Sequence, residues 1–187
     1  MQSFNQLKEA LLTSVKQTDA CSKGYVELLK ATTFKDLCNI AKESFEWCVE
    51  NKILTPELIQ AHVKECNQEG IFCNQNVTSG FCIVTTGSEI DAYEHSFVYV
   101  IGEGMVNAYN TSYVIATDQA EVKTYDFTHV KAKGNSIVTA SDYSTVIASD
   151  NSQVEAFFNS YVIYSGNAEV TQNDEAIIVK DVKPSES

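Results

Sequence analysis

Residues 135–150 read NSIVTASD followed at once by YSTVIASD, two octads that share the residues at positions two, four, six, seven and eight. The same frame runs without a gap from residue 87 to residue 182 and gives twelve octads. Position four is always Val or Ile, position two is Ser, Ala, Thr or Gly, and position six is mostly Ala. So regular a repeat predicts a stack of similar units, and the β-branched fourth position favours strands.

Each octad has the pattern of a short strand followed by a corner. Positions two, four and six alternate with positions three, five and seven, so we expect the small–Val–small triplet to point inward. Position eight is usually Asp, Asn or Gly, the residues that tolerate a positive φ. Successive coils would lie about 4.8 Å apart, and we expect the inward serines to hydrogen-bond along the stack.

The outward residues indicate how many octads form one turn. In most even-numbered octads positions three and five are aromatic or branched apolar residues, whereas polar residues predominate in the odd octads. This period of sixteen predicts a two-faced, single-chain β-solenoid with 16 residues per turn, about six turns and about 29 Å in length. The apolar positions form a ladder that we expect to be covered by the N-terminal helices or by a second chain in a homodimer: Phe97, Tyr99, Tyr113, Ile115, Ile147, Tyr161 and Ile163.

The first part of the chain has the apolar spacing of helices. Thr33 and Asp36 have the form of a capping box that opens a helix extending to about Asn51, and Thr55 begins a last helix that Gly70 ends. The predicted fold class is therefore α+β. Its parts are a helical domain over 1–70, a linker and first solenoid strand over 71–86, an octapeptide β-solenoid over 87–182 and a tail over 183–187.

Few side chains of this sequence suit catalysis or cofactor binding. The six cysteines form no CxxC pair and have no histidine cluster near them, so we expect no metal and no organic cofactor. We interpret the cysteines as reduced, half-buried helix residues, and Trp47 and His62 as ordinary packing residues. His95 and His129 have no matched nucleophile, and no insertion interrupts the octads to build a cleft, so we expect a protein that is not an enzyme.

The charge of the chain is strongly acidic and unevenly distributed. The formal net charge is −12, and the chain contains no arginine. Residues 79–182 hold 14 Asp and Glu against 4 Lys. This balance argues against direct binding to nucleic acid or to an anionic membrane, and favours a protein partner with a basic groove. The start of the chain has no signal-peptide pattern and no apolar run is long enough to span a membrane, which predicts a cytoplasmic location.

The VxAxD-xS octads, the FEWCVEN segment at 45–51 and the GIF segment at 70–72 resemble a loose group of octapeptide-repeat β-solenoid proteins from phages and bacterial mobile elements. The octads are also similar to the V-x-G octapeptide needles of phage tail spikes. The first resemblance implies a phage or mobile-element product in the cytoplasm of a bacterial host. Acidic phage proteins of this size include inhibitors of host defence nucleases, anti-CRISPR proteins among them.

We therefore expect a non-catalytic acidic protein that blocks a host nucleic-acid-binding enzyme, as anti-CRISPR proteins and DNA mimics do. The alternative is a structural or assembly protein of a phage particle or oligomeric scaffold, with the apolar ladder as its contact surface. The acidic residues could also serve only to keep a β-rod soluble. The carboxylates expected to bind the partner are Glu89, Asp91, Glu94, Glu121, Asp126, Asp142, Glu155, Glu169 and Asp174.

Overall fold

The computed structural model describes residues 4–18 and 22–181, so Val182 and the predicted tail over 183–187 lie outside the described residues. The chain divides into two compact units, residues 1–73 and 74–187. The described part of the first unit contains α1 (Phe4–Lys16), α2 (Ser22–Lys30), α3 (Phe34–Glu43), α4 (Phe45–Glu50), α5 (Pro56–Ala61), α6 (Val63–Gln68) and β1 (Ile71–Cys73).

Two helix starts agree with the sequence signals. The backbone N–H of Asp36 donates to the Thr33 hydroxyl at 3.2 Å, and the Thr33 N–H donates to the Asp36 carboxylate at 2.8 Å, which completes the predicted capping box. The Thr32 N–H also donates to the Asp36 carboxylate at 2.8 Å, and this bond, followed by the bonds from Thr33, lowers the pKa of Asp36. Thr55 caps α5 in the same way by accepting from the Leu58 N–H at 3.2 Å. Gly70 adopts a φ of 75° just after α6, as its predicted role as a helix stop requires.

The helices that begin at these caps are shorter than predicted. Ser44, with a φ of −131°, separates α3 from α4, and His62, with a φ of −128°, separates α5 from α6. Serine and histidine both have lower helix propensity than alanine or leucine. Apolar residues continue on the far side of each break, and their spacing therefore did not reveal it.

The helices of the first unit pack around an apolar core. His62 is buried, and its ring lies 5.2 Å from the ring of Phe34, centroid to centroid. Trp47 is partly buried. Both residues therefore have the packing positions expected of them. The buried members of the core are Leu7, Leu12, Val15, Leu28, Ala31 and Leu37.

The prediction for the cysteines was right about their free thiols and partly wrong about their surroundings. The five described cysteines are free and buried rather than half-buried. Cys38, Cys48 and Cys66 lie on helices, but Cys73 and Cys82 lie on strands. Burial raises the pKa of the Cys48 thiol to about 11, so this thiol is protonated near neutral pH.

The second unit is a β-solenoid. Its described strands are β2 (Val77–Val84), β3 (Glu89–Val100), β4 (Met105–Ala108), β5 (Tyr113–Ala116), β6 (Glu121–Thr124), β7 (His129–Ala132), β8 (Ile137–Ala140), β9 (Thr145–Ala148), β10 (Gln153–Ala156), β11 (Tyr161–Tyr164), β12 (Glu169–Gln172) and β13 (Ile177–Lys180). Each strand from β4 onward pairs in parallel with the residues sixteen positions away. Val138 thus lies beside Val154, and Val146 beside Val162.

The strands form two series. The even-numbered strands from β4 to β12 follow the first half of β3, and the odd-numbered strands from β5 to β13 follow its second half. Strand β3 belongs to both series because it spans the first two octads without a break. The prediction of a two-faced solenoid with sixteen residues per turn and about six turns is therefore confirmed.

The solenoid begins one strand before the first complete octad. Strand β2 pairs with β3 in a register that places Gly80 beside Ser96 and Cys82 beside Val98. Residues 79–86 therefore form a further, divergent octad with Cys82 at position four. This strand lies within the segment 71–86 that was assigned to the linker and first solenoid strand.

The small–Val–small triplet points inward, as predicted. Along β8 and β9, for example, Val138, Ala140, Val146 and Ala148 have no solvent-exposed surface. The predicted hydrogen bonds along the stack of inward serines are not formed. The hydroxyls of Ser96, Ser112, Thr128, Ser136, Ser144 and Ser160 are buried without a partner, and that of Ser152 donates within its own corner to the Ser149 carbonyl at 2.7 Å. Coils about 4.8 Å apart place equivalent hydroxyls beyond the 2.5–3.0 Å range of an O–H···O bond.

Most corners are β-turns with a left-handed residue at position eight. In these turns the N–H of position two donates to the carbonyl of position seven, as Ser144 does to Ser141 at 3.2 Å. The corner at Glu94 differs because it lies inside β3. All described residues at position eight have a positive φ, from 49° at Glu94 to 69° at Gly102. The predicted corner conformation is therefore confirmed. The sequence places Asp, Asn or Gly at most of these positions because they adopt it at the least steric cost.

Candidate interaction surfaces of the solenoid

The solenoid presents two faces and two edges. The odd face consists of the residues at positions three and five of the odd-numbered octads: Glu89, Asp91, Met105, Asn107, Glu121, Lys123, Ile137, Thr139, Gln153, Glu155, Glu169 and Thr171. The even face consists of the residues at positions three and five of the even-numbered octads: Phe97, Tyr99, Tyr113, Ile115, His129, Lys131, Thr145, Ile147, Tyr161, Ile163, Ile177 and Val179. The aromatic edge consists of residues 93–95, 109–111, 125–127, 141–143, 157–159 and 173–175, and the polar edge of 101–103, 117–119, 133–135, 149–151, 165–167 and 181.

The carboxylates avoid one of these surfaces entirely. The even face carries none among its residues. The acidic residues expected to bind a partner lie on the odd face and on the aromatic edge, which is adjacent to it. The odd face carries Glu89, Asp91, Glu121, Glu155 and Glu169, and the aromatic edge carries Glu94, Asp126, Asp142 and Asp174, together with Glu175.

Most carboxylates of the odd face are available to a partner. Glu121, Glu155 and Glu169 are exposed, and no lysine among the described residues lies within ion-pair distance of them. Glu89 and Asp91 differ, because the Asn107 amide donates to their carboxylates at 3.3 and 3.1 Å. The odd face therefore presents exposed glutamates that form no ion pair with a lysine of residues 4–18 or 22–181.

Two carboxylates of the aromatic edge, those of Asp126 and Asp142, have a structural role that the sequence did not reveal. The N–H of Asn110 donates to the Asp126 carboxylate at 2.9 Å, and the N–H of Asp126 donates to the Asp142 carboxylate at 3.2 Å. Asn110 itself accepts from the Glu94 N–H through its side-chain oxygen at 3.3 Å. Each of these side chains thus satisfies a corner N–H of the preceding coil. Asp126 and Asp142 are only partly exposed as a result.

The aromatic edge also carries stacked rings. Tyr93, Tyr109 and Tyr125 stack at centroid distances of 5.0 and 4.9 Å, and Phe127 stacks on Tyr143 at 5.4 Å. The pKa of Tyr109 is raised, first by desolvation and then by the charge of Asp91. These rings lie in consecutive coils because aromatic residues recur at the same position of alternate octads.

Sequence reasoning missed the most exposed aromatic residues of this edge. Phe127 and Tyr143 are each 58% exposed, and Phe158 is 54% exposed. The signal was present in the recurrence of an aromatic residue at position one of two successive even octads. The sequence prediction assigned binding at position eight to the carboxylates and assigned none to position one.

The apolar ladder on the even face is not uniform. Tyr99 and Ile115 are buried, whereas Ile147 is 48% exposed and Tyr161 is exposed as well. Phe97 and Tyr113 are partly buried and pack with their ring centroids 4.9 Å apart, and Ile163 is partly buried. The exposed apolar surface continues beyond the predicted ladder to Ile177 and Val179. The accessible part of the ladder is therefore its C-terminal half.

No arrangement in the described part of the chain resembles a metal centre, because no three His, Cys, Asp or Glu side chains are grouped to hold an ion. His95 bonds to the Thr111 hydroxyl at 2.7 Å.

None of the helices over 4–18 and 22–181 has the length and apolar character needed to cross a membrane.

No protein-family profile matches the chain, and comparisons with curated proteins and with solved structures find no match either.

Proposed function

We propose that this protein is a non-catalytic acidic inhibitor that occupies the basic groove of a host nucleic-acid-binding enzyme. The observation that carries the proposal is the uneven placement of charge: carboxylates lie on the odd face and on both edges, and none lies on the even face. A stacked β-solenoid holds such side chains at fixed spacing. The resemblance to phage and mobile-element proteins supports an anti-CRISPR or DNA-mimic inhibitor in the cytoplasm of a bacterial host.

The charge density is of the order that a nucleic-acid mimic needs. The 14 carboxylates and 4 lysines of residues 79–182 leave ten net negative charges. Spread over about 29 Å, they give one charge per roughly 3 Å of rod, against one per about 1.7 Å in duplex DNA. A groove lined by lysine and arginine would attract this surface and accelerate encounter.

The exposed rings of the aromatic edge would add anchoring contacts to this electrostatic attraction. Phe127 and Tyr143 stand beside the carboxylates of Asp126 and Asp142 in the sequence. An arginine of the partner would meet both a ring face and a carboxylate there, a combination that favours cation–π contact and ion pairing. Aromatic residues of this kind contribute much of the binding energy at protein interfaces.

The direct test is inhibition of purified DNA-cleaving enzymes from bacterial hosts, with CRISPR effector nucleases tested first. We expect cleavage to fall as the protein is added and to recover as the concentration of substrate DNA is raised, because protein and substrate would occupy the same groove. Gel-shift assays with the protein alone should show no complex with DNA or RNA. A shifted nucleic acid, or inhibition that excess DNA leaves unchanged, would contradict the proposal.

A structural or assembly role is the second candidate, and the exposure of the even face favours it. Ile147, Tyr161 and Ile177 present apolar surface that a second copy of the chain would cover. Because only the C-terminal half of the ladder is accessible, an isologous homodimer would pair through that half, with His129 and Lys131 at one end of the contact. This assembly leaves the odd face free, so dimer formation and inhibition are compatible.

A further inference from the structure

We propose that the helical unit binds a small, uncharged apolar molecule in a cavity between its helices. The cavity has a volume of about 480 Å³, and all six helices of the described part of the unit contribute to its wall. This inference is independent of the function proposed for the solenoid. The wall includes Leu7, Leu28, Leu37, Trp47, Leu58 and Cys66.

The chemistry of the wall selects the ligand class. None of the lining side chains carries a formal charge when the thiols are protonated, and Ser44 supplies the one hydroxyl among them. A charged or strongly hydrated group placed here would lose its water without gaining a partner, which is costly. An alkyl chain or an aromatic hydrocarbon has no such hydration to lose, and its apolar surface is buried against the wall.

The size of the cavity indicates a small molecule rather than a protein segment. Protein interiors are close-packed and contain few voids larger than a water molecule. An apolar cavity of about 150 Å³ already binds benzene, and small-molecule sites have volumes of roughly 300–1,000 Å³. Two turns of a helix, with a diameter of about 10–12 Å, would need about 850 Å³ or more. The 480 Å³ cavity therefore suits a ligand with the bulk of a medium-length alkyl chain or a two-ring aromatic compound.

Trp47 makes the binding measurable, because it is the single tryptophan of the chain and lies in the cavity wall. The probe is N-phenylnaphthylamine, which is uncharged, absorbs where tryptophan emits and becomes bright in apolar surroundings. We expect saturable binding of one probe per chain, with a matching fall in Trp47 emission. Dodecanol should displace the probe at least as well as dodecanoate does, because the wall offers no cation to a carboxylate.

Two cavity-filling variants and one control decide the outcome. Leu11→Phe and Leu58→Phe each enlarge a partly buried wall residue, whereas Leu29→Phe makes the same change at an exposed position outside the wall. Melting curves identify which filling variants are folded, and a folded one should bind the probe at least about tenfold more weakly than Leu29→Phe does. The proposal is overturned if the wild type shows no saturable binding, or if a folded filling variant binds as the control does. It is also overturned if dodecanoate is clearly preferred over dodecanol.

Discussion

At the residue scale, the corners determine which side chains the sequence can place at position eight. On the polar edge, glycine alternates with aspartate, and the N–H of Gly102 and Gly134 donates to the carboxylates of Asp118 and Asp150 at 3.1 and 3.0 Å. Each aspartate thus satisfies the corner N–H of the coil before it. The repeat is therefore a hydrogen-bonding pattern between coils as well as a hydrophobic one.

Two glycines of the polar edge allow the cost of a crowded corner to be measured. Gly134 and Gly166 have nearly the same φ, 66° and 65°, but a Cβ on Gly134 would lie 2.9 Å from the Asp118 nitrogen, against 3.5 Å to the Asp150 nitrogen for Gly166. Alanine at either site incurs about 1–2 kcal/mol for the left-handed backbone. We expect the free energy of unfolding, measured in urea, to fall by about 1 kcal/mol more for Gly134→Ala than for Gly166→Ala. Equal losses would show that the close contact relaxes freely.

Phe158 is the bulky exception among the corners. It has a φ of 55°, a conformation that glycine, asparagine and aspartate adopt more readily. We expect Phe158→Asn to stabilise the fold by about 1 kcal/mol and to raise the melting temperature by about 2–4 °C. Binding to the inhibited enzyme should weaken, because the variant loses an exposed aromatic anchor.

Tyr143→Asn is the matched control for this variant, since Tyr143 is similarly exposed but does not have a positive φ. It should weaken binding without stabilising the fold. If Phe158→Asn left stability unchanged, the left-handed corner would carry no strain at that residue.

At the element scale, the octads gave a reliable prediction because one short period specifies strand, corner and stacking together. Every described strand from β4 onward occupies positions three to six of its octad. The divergent octad of β2 was harder to recognise, since Cys82 and Gly80 replace the usual residues. The breaks at Ser44 and His62 were missed because apolar spacing does not register a single non-helical residue. Hydrogen bonds of the corner carboxylates depend on the distance between coils, which no single octad encodes.

In the last strands of the solenoid, larger and polar residues occupy an inward position. Position six is Ala in most octads, but it is Tyr164, Gln172 and Lys180 in the last three. The Lys180 ammonium lies 5.8 Å from the centre of the Tyr164 ring. A charged side chain at an inward position of an edge strand opposes pairing with another chain.

Removing these residues should therefore promote end-to-end association. We expect the double variant Gln172→Ala and Lys180→Val to form larger particles as its concentration rises, measured by light scattering. Lys123→Val is a control with the same change of charge, at an exposed position of the odd face. Association of the control to the same extent would attribute the effect to net charge rather than to the end of the stack.

At the scale of the whole molecule, the two faces predict different contacts. Ile147 on the even face and Ile137 on the odd face are 48% and 45% exposed, so they form a matched pair. We expect Ile147→Asp to shift a homodimer toward monomers in light scattering, whereas Ile137→Asp should leave it intact. If the wild type is monomeric at all concentrations, the even face does not mediate dimer formation and the prediction is wrong.

The placement of acidic residues could be predicted from the sequence as far as the surfaces they share, because the period of sixteen fixes the face of every octad position. Their exposure could not, since the bonds from Asn110, Asp126 and neighbouring corner amides depend on the stacked coils. The exposed glutamates of the odd face are therefore the residues through which the acidic surface is best tested.

The most direct test of the acidic surface compares two variants with the same change of charge. One replaces Glu121, Glu155 and Glu169 by Gln on the odd face, and the other replaces Glu103 by Gln and Asp150 and Asp181 by Asn on the polar edge. Their affinities for the inhibited enzyme are measured over a range of salt concentrations. We expect the odd-face variant to bind about tenfold more weakly than the polar-edge variant, and with a shallower salt dependence than the wild type. Equal affinities for the two variants would contradict binding through the odd face.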